Sequence, residues 1–268
     1  AASLAAYAAQ AGLPALVPAP AGAVAAGKLA QALAYGARTL VVPGDFDACL
    51  RLAEEASASL GVYLLNSINP FRLEGQKTII LELLQQLAWE PPDWIVVPAG
   101  NLGNLSAFGK ALRELHAYGL ISRLPRLVGV QAAGAAPFAA SFARGFDRLD
   151  VVVPETAASA IRIGHPASYE RAVRAIRETD GLVLAVPDAE LIEAKSALDR
   201  SGVGGELAIP AALAGARRLS RVGTIAAGAT VVVVLTGHIL KDADTLLERH
   251  RGMGPGANPP RPIGGTLS

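Results

Sequence analysis

Asp93-Trp94-Ile95-Val96-Val97-Pro98 is an aspartate followed by an unbroken apolar run closed by proline, and Ala99 hands it on to Gly100-Asn101-Leu102-Gly103-Asn104. Phe108, Leu112 and Leu115 follow at helical spacing. A run with no polar alternation suits a strand covered on both faces, and a glycine turn into an amphipathic helix is the first half of a parallel crossover. The unit recurs along the chain. Thr39-Leu40-Val41-Val42 turns at Pro43-Gly44 toward a helix expected to be capped by Asp45 and to run through Leu60. Val62-Tyr63-Leu64-Leu65 reads as the next strand, and 74–89 as a helix with Ile79, Ile80, Leu83, Leu84 and Leu87 turned inward. Residues 127–130, 182–186 and 230–235 complete the expected strands. Asp188 is placed to cap a helix running to Arg200, with Gly202 as its left-handed terminator. The class expected is α/β with parallel strands.

The 268 residues, 51% hydrophobic and 18% charged, are enough for one large or two smaller domains, which excludes disorder for the bulk of the chain. A formal charge of +1 with scattered arginines leaves no nucleic-acid footprint. Cys49, the single cysteine, can form no internal disulfide, so the cytoplasm is the expected compartment. Neither cysteine pairs nor the spacing of His116, His165, His238 and His250 suggests a metal. No stretch reaches the roughly 20 apolar residues of a membrane span, and no 20 to 50 residue period marks a repeat protein. Residues 251–268 are rich in proline and glycine and are expected to form a mobile tail. The run Ala1 to Tyr7 reads as the start of a helix without a cap, as though the chain begins inside a fold.

Three segments could carry chemistry. Gly100 to Asn104 has the form of a phosphate cradle, because glycines allow backbone amides to approach an anion and the helix behind them adds its positive end. An ordinary strand-to-helix turn has the same composition. The loop lacks the Lys-Ser/Thr of a P-loop and the third glycine of a dinucleotide fingerprint. Asn66-Ser67-Ile68-Asn69-Pro70-Phe71-Arg72 lies beyond an expected strand end, and its amides, hydroxyl and guanidinium suit an anionic ligand. The alternative is a turn at Asn69-Pro70 with Arg72 solvated. Thr236-Gly237-His238 follows the 230–235 strand; a hydroxyl there can bond a ring nitrogen without charging it, while His238 reads as a structural or surface histidine rather than a metal ligand or base. No nucleophile elbow supports acyl transfer.

Together these segments resemble the threonine synthase family of pyridoxal-phosphate enzymes, whose architecture is the tryptophan synthase β-like fold type II. The 66–78 block, Gly100 to Asn104, Gln131-Ala132-Ala133-Gly134, Ala160-Ile161-Arg162-Ile163-Gly164 and Thr236-Gly237-His238 with Leu240-Lys241-Asp242 occur in the family's order, as do Pro18 to Gly22 and Gly27-Lys28-Leu29. The resemblance implies two three-layer α/β domains: an incomplete small one in 1–66 and a large one in 67–250, with 251–268 as a tail. It implies a homodimer that converts O-phospho-L-homoserine and water to L-threonine and phosphate. Carried over, Gly100, Asn101, Leu102, Gly103 and Asn104 hold the cofactor phosphate, Thr236 faces the pyridine nitrogen, and Asn66, Ser67 and Arg72 take the substrate phosphate. A dehydratase or sulfhydrylase on the same scaffold, or a non-catalytic binder of phosphate metabolites, shares these features.

Two departures accompany the resemblance. The family's Schiff-base lysine sits in a Ser-Phe-Lys-Asp-type motif ahead of a Gly-Asn-Thr loop, and neither occurs between Ala1 and Ser268. Lys28 and Lys77 match other parts of the family, so no catalytic residue is assigned and impaired turnover is expected. Gly204-Gly205-Glu206-Leu207-Ala208-Ile209-Pro210 differs from the customary Glu-Pro-Ala-Ser-Ala-Ala after its glutamate, and Ile239 replaces a glycine.

Overall fold

In a computed structural model of the chain, residues 1–21, 26–44, 46–66, 69–252 and 258–259 are described. Asp45, Ser67 and most of the 251–268 tail lie outside them. The chain divides into two compact units, Ala1–Leu64 with Ile239–Ser268, and Leu65–His238.

The first unit opens with α1 (Ala2–Gln10), which has no side-chain cap, and continues through β1 (Leu16–Pro20), α2 (Ala26–Ala34), β2 (Arg38–Val42) and α3 (Phe46–Leu60). β1 and β2 pair in parallel, Leu16 opposite Arg38 and Pro20 opposite Val42. No strand is expected over two prolines, because proline cannot donate to a ladder. The register explains the exception. Arg38 N–H donates to Ala15 O and Ala21 N–H to Val42 O, each at 2.9 Å. The odd-numbered residues of β1 therefore bond β2, and Pro18 and Pro20 turn their missing N–H groups the other way. The 62–65 stretch, expected as a strand, enters no ladder; Tyr63 and Leu65 stand exposed, and β propensity without a partner strand does not make a strand. The core of this unit is small, built on Ala5, Val17, Ala32 and Ala37.

The second unit begins with α4 (Phe71–Gln76) and α5 (Thr78–Gln86), then β3 (Trp94–Pro98), α6 (Gly103–Ala117), β4 (Arg126–Ala132), α7 (Pro137–Ala143), α8 (Tyr169–Glu178), β5 (Leu182–Val186), α9 (Asp188–Arg200), α10 (Pro210–Arg221) and β6 (Val231–Val233). The helix expected over 74–89 is split at Lys77. Gly75 weakens it, and the Thr78 hydroxyl donates to the Gly75 carbonyl at 2.7 Å. The end is a left-handed turn at Ala88 and Trp89, where Trp89 N–H reaches back to Leu84 O at 2.7 Å. Ile80 and Leu84 are fully buried as expected, while Ile79 is exposed.

The four strands form one parallel sheet in the order β5-β4-β3-β6. Every residue of β3 is buried, and its side chains alternate between two cores. Ile95 and Val97 join Phe108 and Leu112 of α6 and Ile176 of α8 on one face. Val96, with Val128 and Val130 of β4, meets Leu191 of α9 and Ala211 of α10 on the other. This unit is the three-layer α/β arrangement expected for fold type II. The helix from Asp188 to Arg200 is present, with Gly202 left-handed beyond it. Asp188 does not cap it, however: its carboxylate accepts the Thr156 hydroxyl at 2.6 Å and the Ala157 N–H at 2.8 Å, tying down the loop before the sheet's last half.

After β6 a 3-10 turn (Ile239–Asp242) and α11 (Ala243–Arg251) return to the first unit, where the turn packs on α2 and on α11. Residues 239–250 thus group with the N-terminal segment rather than with 67–238. No helix among the described residues is long and apolar enough to cross a membrane.

Candidate functional site

β3 runs outward from β4 on one side while β6 returns to its other side, so the sheet's order reverses at β3. Ligands of open α/β sheets bind beyond the strand ends at such a reversal. Ala99 N–H still bonds Val130 O at 2.8 Å; the chain then leaves the sheet, turns through left-handed Leu102 (φ 65°) and enters α6 at Gly103. None of the backbone N–H groups from Gly100 to Asn104 donates to an acceptor among the described residues. The first turn of α6 carries no acidic side chain. A row of unpaired donors on the positive end of a 15-residue helix suits an oxyanion, and it fits the phosphate of a cofactor.

The donors are unpaired while the rest of the loop is pinned. Asn101 O accepts Ser168 N–H at 3.2 Å, and Asn101 Oδ1 accepts Ala167 N–H at 3.3 Å. The buried Ser106 hydroxyl is shared between Leu102 O at 2.8 Å and Ser168 O at 3.2 Å. Gln131 Nε2 donates to Ala99 O at 3.2 Å while its Oε1 accepts the Phe138 and Ala139 N–H groups at 2.9 and 3.0 Å. Sequence pattern assigns Gln131, Ser106 and Ser168 no role in the site. Ser106 falls in the first turn of the expected helix, but nothing local signals that Gln131, a polar residue inside an apolar strand, would reach back to Ala99.

Thr236 lies beyond the end of β6, the neighbour of β3. Val96 is opposite Val233, and Val234 N–H donates to Val96 O at 2.9 Å. The Thr236 hydroxyl is half-buried with no partner among the described residues. Gly237 and His238 pair with the 205–206 segment: Gly205 bridges His238, and Glu206 N–H donates to Gly237 O at 3.3 Å. The buried Glu206 carboxylate fills the space a side chain at 237 would need, its Oε1 standing 2.2 Å from that point. The altered residues after Glu206 are accommodated locally. Ile209 packs against Gly205, and Pro210 starts α10 where its missing N–H costs nothing. His238 is exposed.

Asn66, Asn69 and Arg72 form one turn at the head of α4. Asn69 N–H bonds Asn66 O and Arg72 N–H bonds Asn69 O, both at 3.1 Å, and Asn69 Oδ1 accepts Phe71 N–H at 2.8 Å. The turn at Asn69-Pro70 is an Asx turn, and Arg72 is exposed beyond it. Further along, Lys77 Nζ contacts Glu74 Oε2 at 2.6 Å and Glu114 Oε2 at 2.8 Å, and Lys110 contacts the same two carboxylates. Hydrogen bonds donated to Glu114 and Glu74 hold the Lys77 ammonium protonated well above lysine's usual range, and those donated by Lys110 and Lys77 hold the Glu74 carboxyl below the usual carboxylate range. Lys195 is buried against Asp199 at 2.6 Å. The three lysines whose side chains are described are thus all ion-paired, and a protonated, paired amine is no nucleophile. The side chains of Lys28 and Lys241 lie outside the described residues. Among the described residues no cluster of His, Cys, Asp and Glu could hold a metal ion.

Residues 1–237 match the family described as pyridoxal-phosphate dependent enzyme. The threonine synthase of Methanosarcina acetivorans is 45% identical over 92% of this chain and 62% of its own length. That of Mycobacterium leprae is 45% identical over 92% of this chain and 67% of its own. The chain therefore spans about three fifths to two thirds of the length of these relatives. Among solved structures, maize serine racemase aligns with a TM-score of 0.75 at 23% identity over 92% of this chain and 72% of its own, a likeness of fold. The T.th. threonine deaminase aligns with a TM-score of 0.72 at 25% identity, over 88% of this chain and 73% of its own. With its reversal-point loop of unpaired amides and these likenesses, the chain belongs to the pyridoxal-phosphate dependent enzyme family, in its threonine synthase branch.

Proposed function

We propose that this chain is the phosphate-binding body of a threonine synthase, the enzyme that takes O-phospho-L-homoserine and water to L-threonine and phosphate. One observation carries the reading: the unpaired N–H groups of Gly100, Asn101, Leu102, Gly103 and Asn104 at the reversal point. They bind the cofactor phosphate without needing a lysine there, because backbone donors fixed by Gln131, Ser106 and Ser168 lose little freedom on binding. Pyridoxal phosphate, when bound, supplies an electron-withdrawing ring to the substrate's amino-bearing carbon. The Thr236 hydroxyl would face the ring nitrogen, to which a hydroxyl can hydrogen-bond without charging it. Asn66, Ser67 and Arg72 take the substrate's phosphate, for which the guanidinium fork is suited by its two parallel donors. The proton-transferring amine is not Lys77, Lys110 or Lys195, whose ion pairs hold them elsewhere. The protein acts as a cytoplasmic homodimer.

Calorimetric titration of the chain with pyridoxal phosphate, and then with O-phospho-L-homoserine in its presence, tests the reading. Saturable binding of both is expected. Saturation by L-serine or L-threonine in place of the phosphorylated substrate would favour a dehydratase instead. Borohydride reduction of the mixture is expected to leave Lys77, Lys110 and Lys195 unmodified; a stoichiometric adduct on one of them, with turnover, overturns the assignment.

A further inference from the structure

Gln76 ends α4 in contact with the cradle. A Cβ built on Gly103 would lie 3.3 Å from Gln76 Oε1 and 3.9 Å from its Nε2, so the carboxamide stands against the first residue of α6. That amide has no hydrogen-bond partner among the described residues, although it is only partly exposed. Water can solvate it there when no ligand is bound. Gln76 is also held from both sides. Glu74, two residues before it, pairs with Lys110, and Lys77, one residue after it, pairs with Glu114, both partners lying on α6. These contacts fix the last turn of α4 on α6, and rotation about the final side-chain bond of Gln76 exchanges the acceptor end of its carboxamide for the donor end.

We propose that Gln76 is a further phosphate ligand, its Nε2 donating to the same anion that the amides of Gly100 to Asn104 bind. The inference rests on the cofactor-phosphate reading of that loop. It assigns α4 a double task. Arg72 and Gln76 are four residues apart and so share a face of the helix. One end of that face serves the substrate's phosphate and the other the cofactor's, about one helical turn away. A side chain at 103 would crowd the carboxamide.

The test compares pyridoxamine phosphate with pyridoxamine, neither of which has a carbonyl to trap lysines, by fluorescence titration of the 268-residue chain and its Gln76→Ala and Gln76→Glu variants. The unaltered chain should prefer the phosphorylated form. Gln76→Ala should weaken pyridoxamine phosphate about tenfold, the worth of one hydrogen bond to a charged group, and leave pyridoxamine unchanged. Gln76→Glu, equal in size, should weaken it further at neutral pH because it brings a negative charge to the phosphate. Thermal melts matching the unaltered chain verify that both variants fold. Should the unaltered chain prefer the phosphorylated form while both variants keep its full preference, Gln76 is overturned and the loop reading stands. Equal affinity of the unaltered chain for the two compounds overturns both.

Discussion

The two units use the same parts to different effect. In the larger, β3 is buried along its whole length between two apolar layers, and large side chains such as Phe108, Phe138 and Leu112 are wholly enclosed. In the smaller, β2 pairs with a single strand, Val41 is 68% exposed, and among the described residues the core is built on Ala5, Val17, Ala32 and Ala37. A ligand cradle of unpaired amides needs a backbone that does not relax to pair them with its own carbonyls. Among the described residues only the larger unit provides one. The smaller unit should open at lower free energy, with the larger still folded.

Both tryptophans, Trp89 and Trp94, belong to the larger unit, so fluorescence follows it alone while circular dichroism follows both. The largest expected effect is Phe108→Ala, which should cost about 3–5 kcal/mol in urea unfolding read by fluorescence, the combined loss of burial and a cavity between α6 and the sheet. Val17→Ala, its counterpart in the smaller unit, removes two methyl groups and should cost about 1–2 kcal/mol, visible by circular dichroism and silent in fluorescence. A fluorescence shift in the second variant would mean the units unfold together. Gly109→Ala should cost about 1–3 kcal/mol, since its Cβ would lie 2.3 Å from Ala175 Cβ where α6 crosses α8.

The smallest effect concerns acid. Partial burial would raise the Glu178 carboxyl, but hydrogen bonds from Arg174 at 2.6 Å and Arg113 at 2.8 Å outweigh it and hold it below the usual carboxylate range. The group's contribution is therefore complete above the unfolded value of about 4.3 and is lost as pH falls through the folded one. Glu178→Gln should lower stability at about pH 7 by under about 1 kcal/mol and flatten its decline below about pH 4.5. An unaltered acid slope would show that the pair contributes nothing.

The sequence disclosed most where local pattern and burial agree. β3, β4 and β5 are apolar runs with no polar alternation because helices cover both faces, and Gly100 to Asn104 stands out because glycine and asparagine interrupt such a run. β1 was hidden by Pro18 and Pro20, whose permissibility depends on which side its partner lies, a fact of register rather than of composition. The 62–65 stretch looked like a strand on β propensity alone, and a strand exists only with a neighbour. Asp188 has the right residue type for a cap, yet Thr156 and Ala157, more than 30 residues away, claim its carboxylate. Of the candidate site, the Gly100 to Asn104 turn into α6 and the turn at Asn69-Pro70 were legible. The props behind the loop, Gln131 and Ser168, and the unpaired amide of Gln76 are contacts between distant segments that no local spacing encodes.

Hydrogen exchange of the Gly100 to Asn104 amides, with and without pyridoxal phosphate, tests the central claim most directly. Unpaired amides exchange fast, and donors that close on a phosphate become protected. Strong protection confined to 100–105 with pyridoxal phosphate, and none with pyridoxal, is the result expected. Unchanged exchange in that segment at saturating pyridoxal phosphate would contradict it.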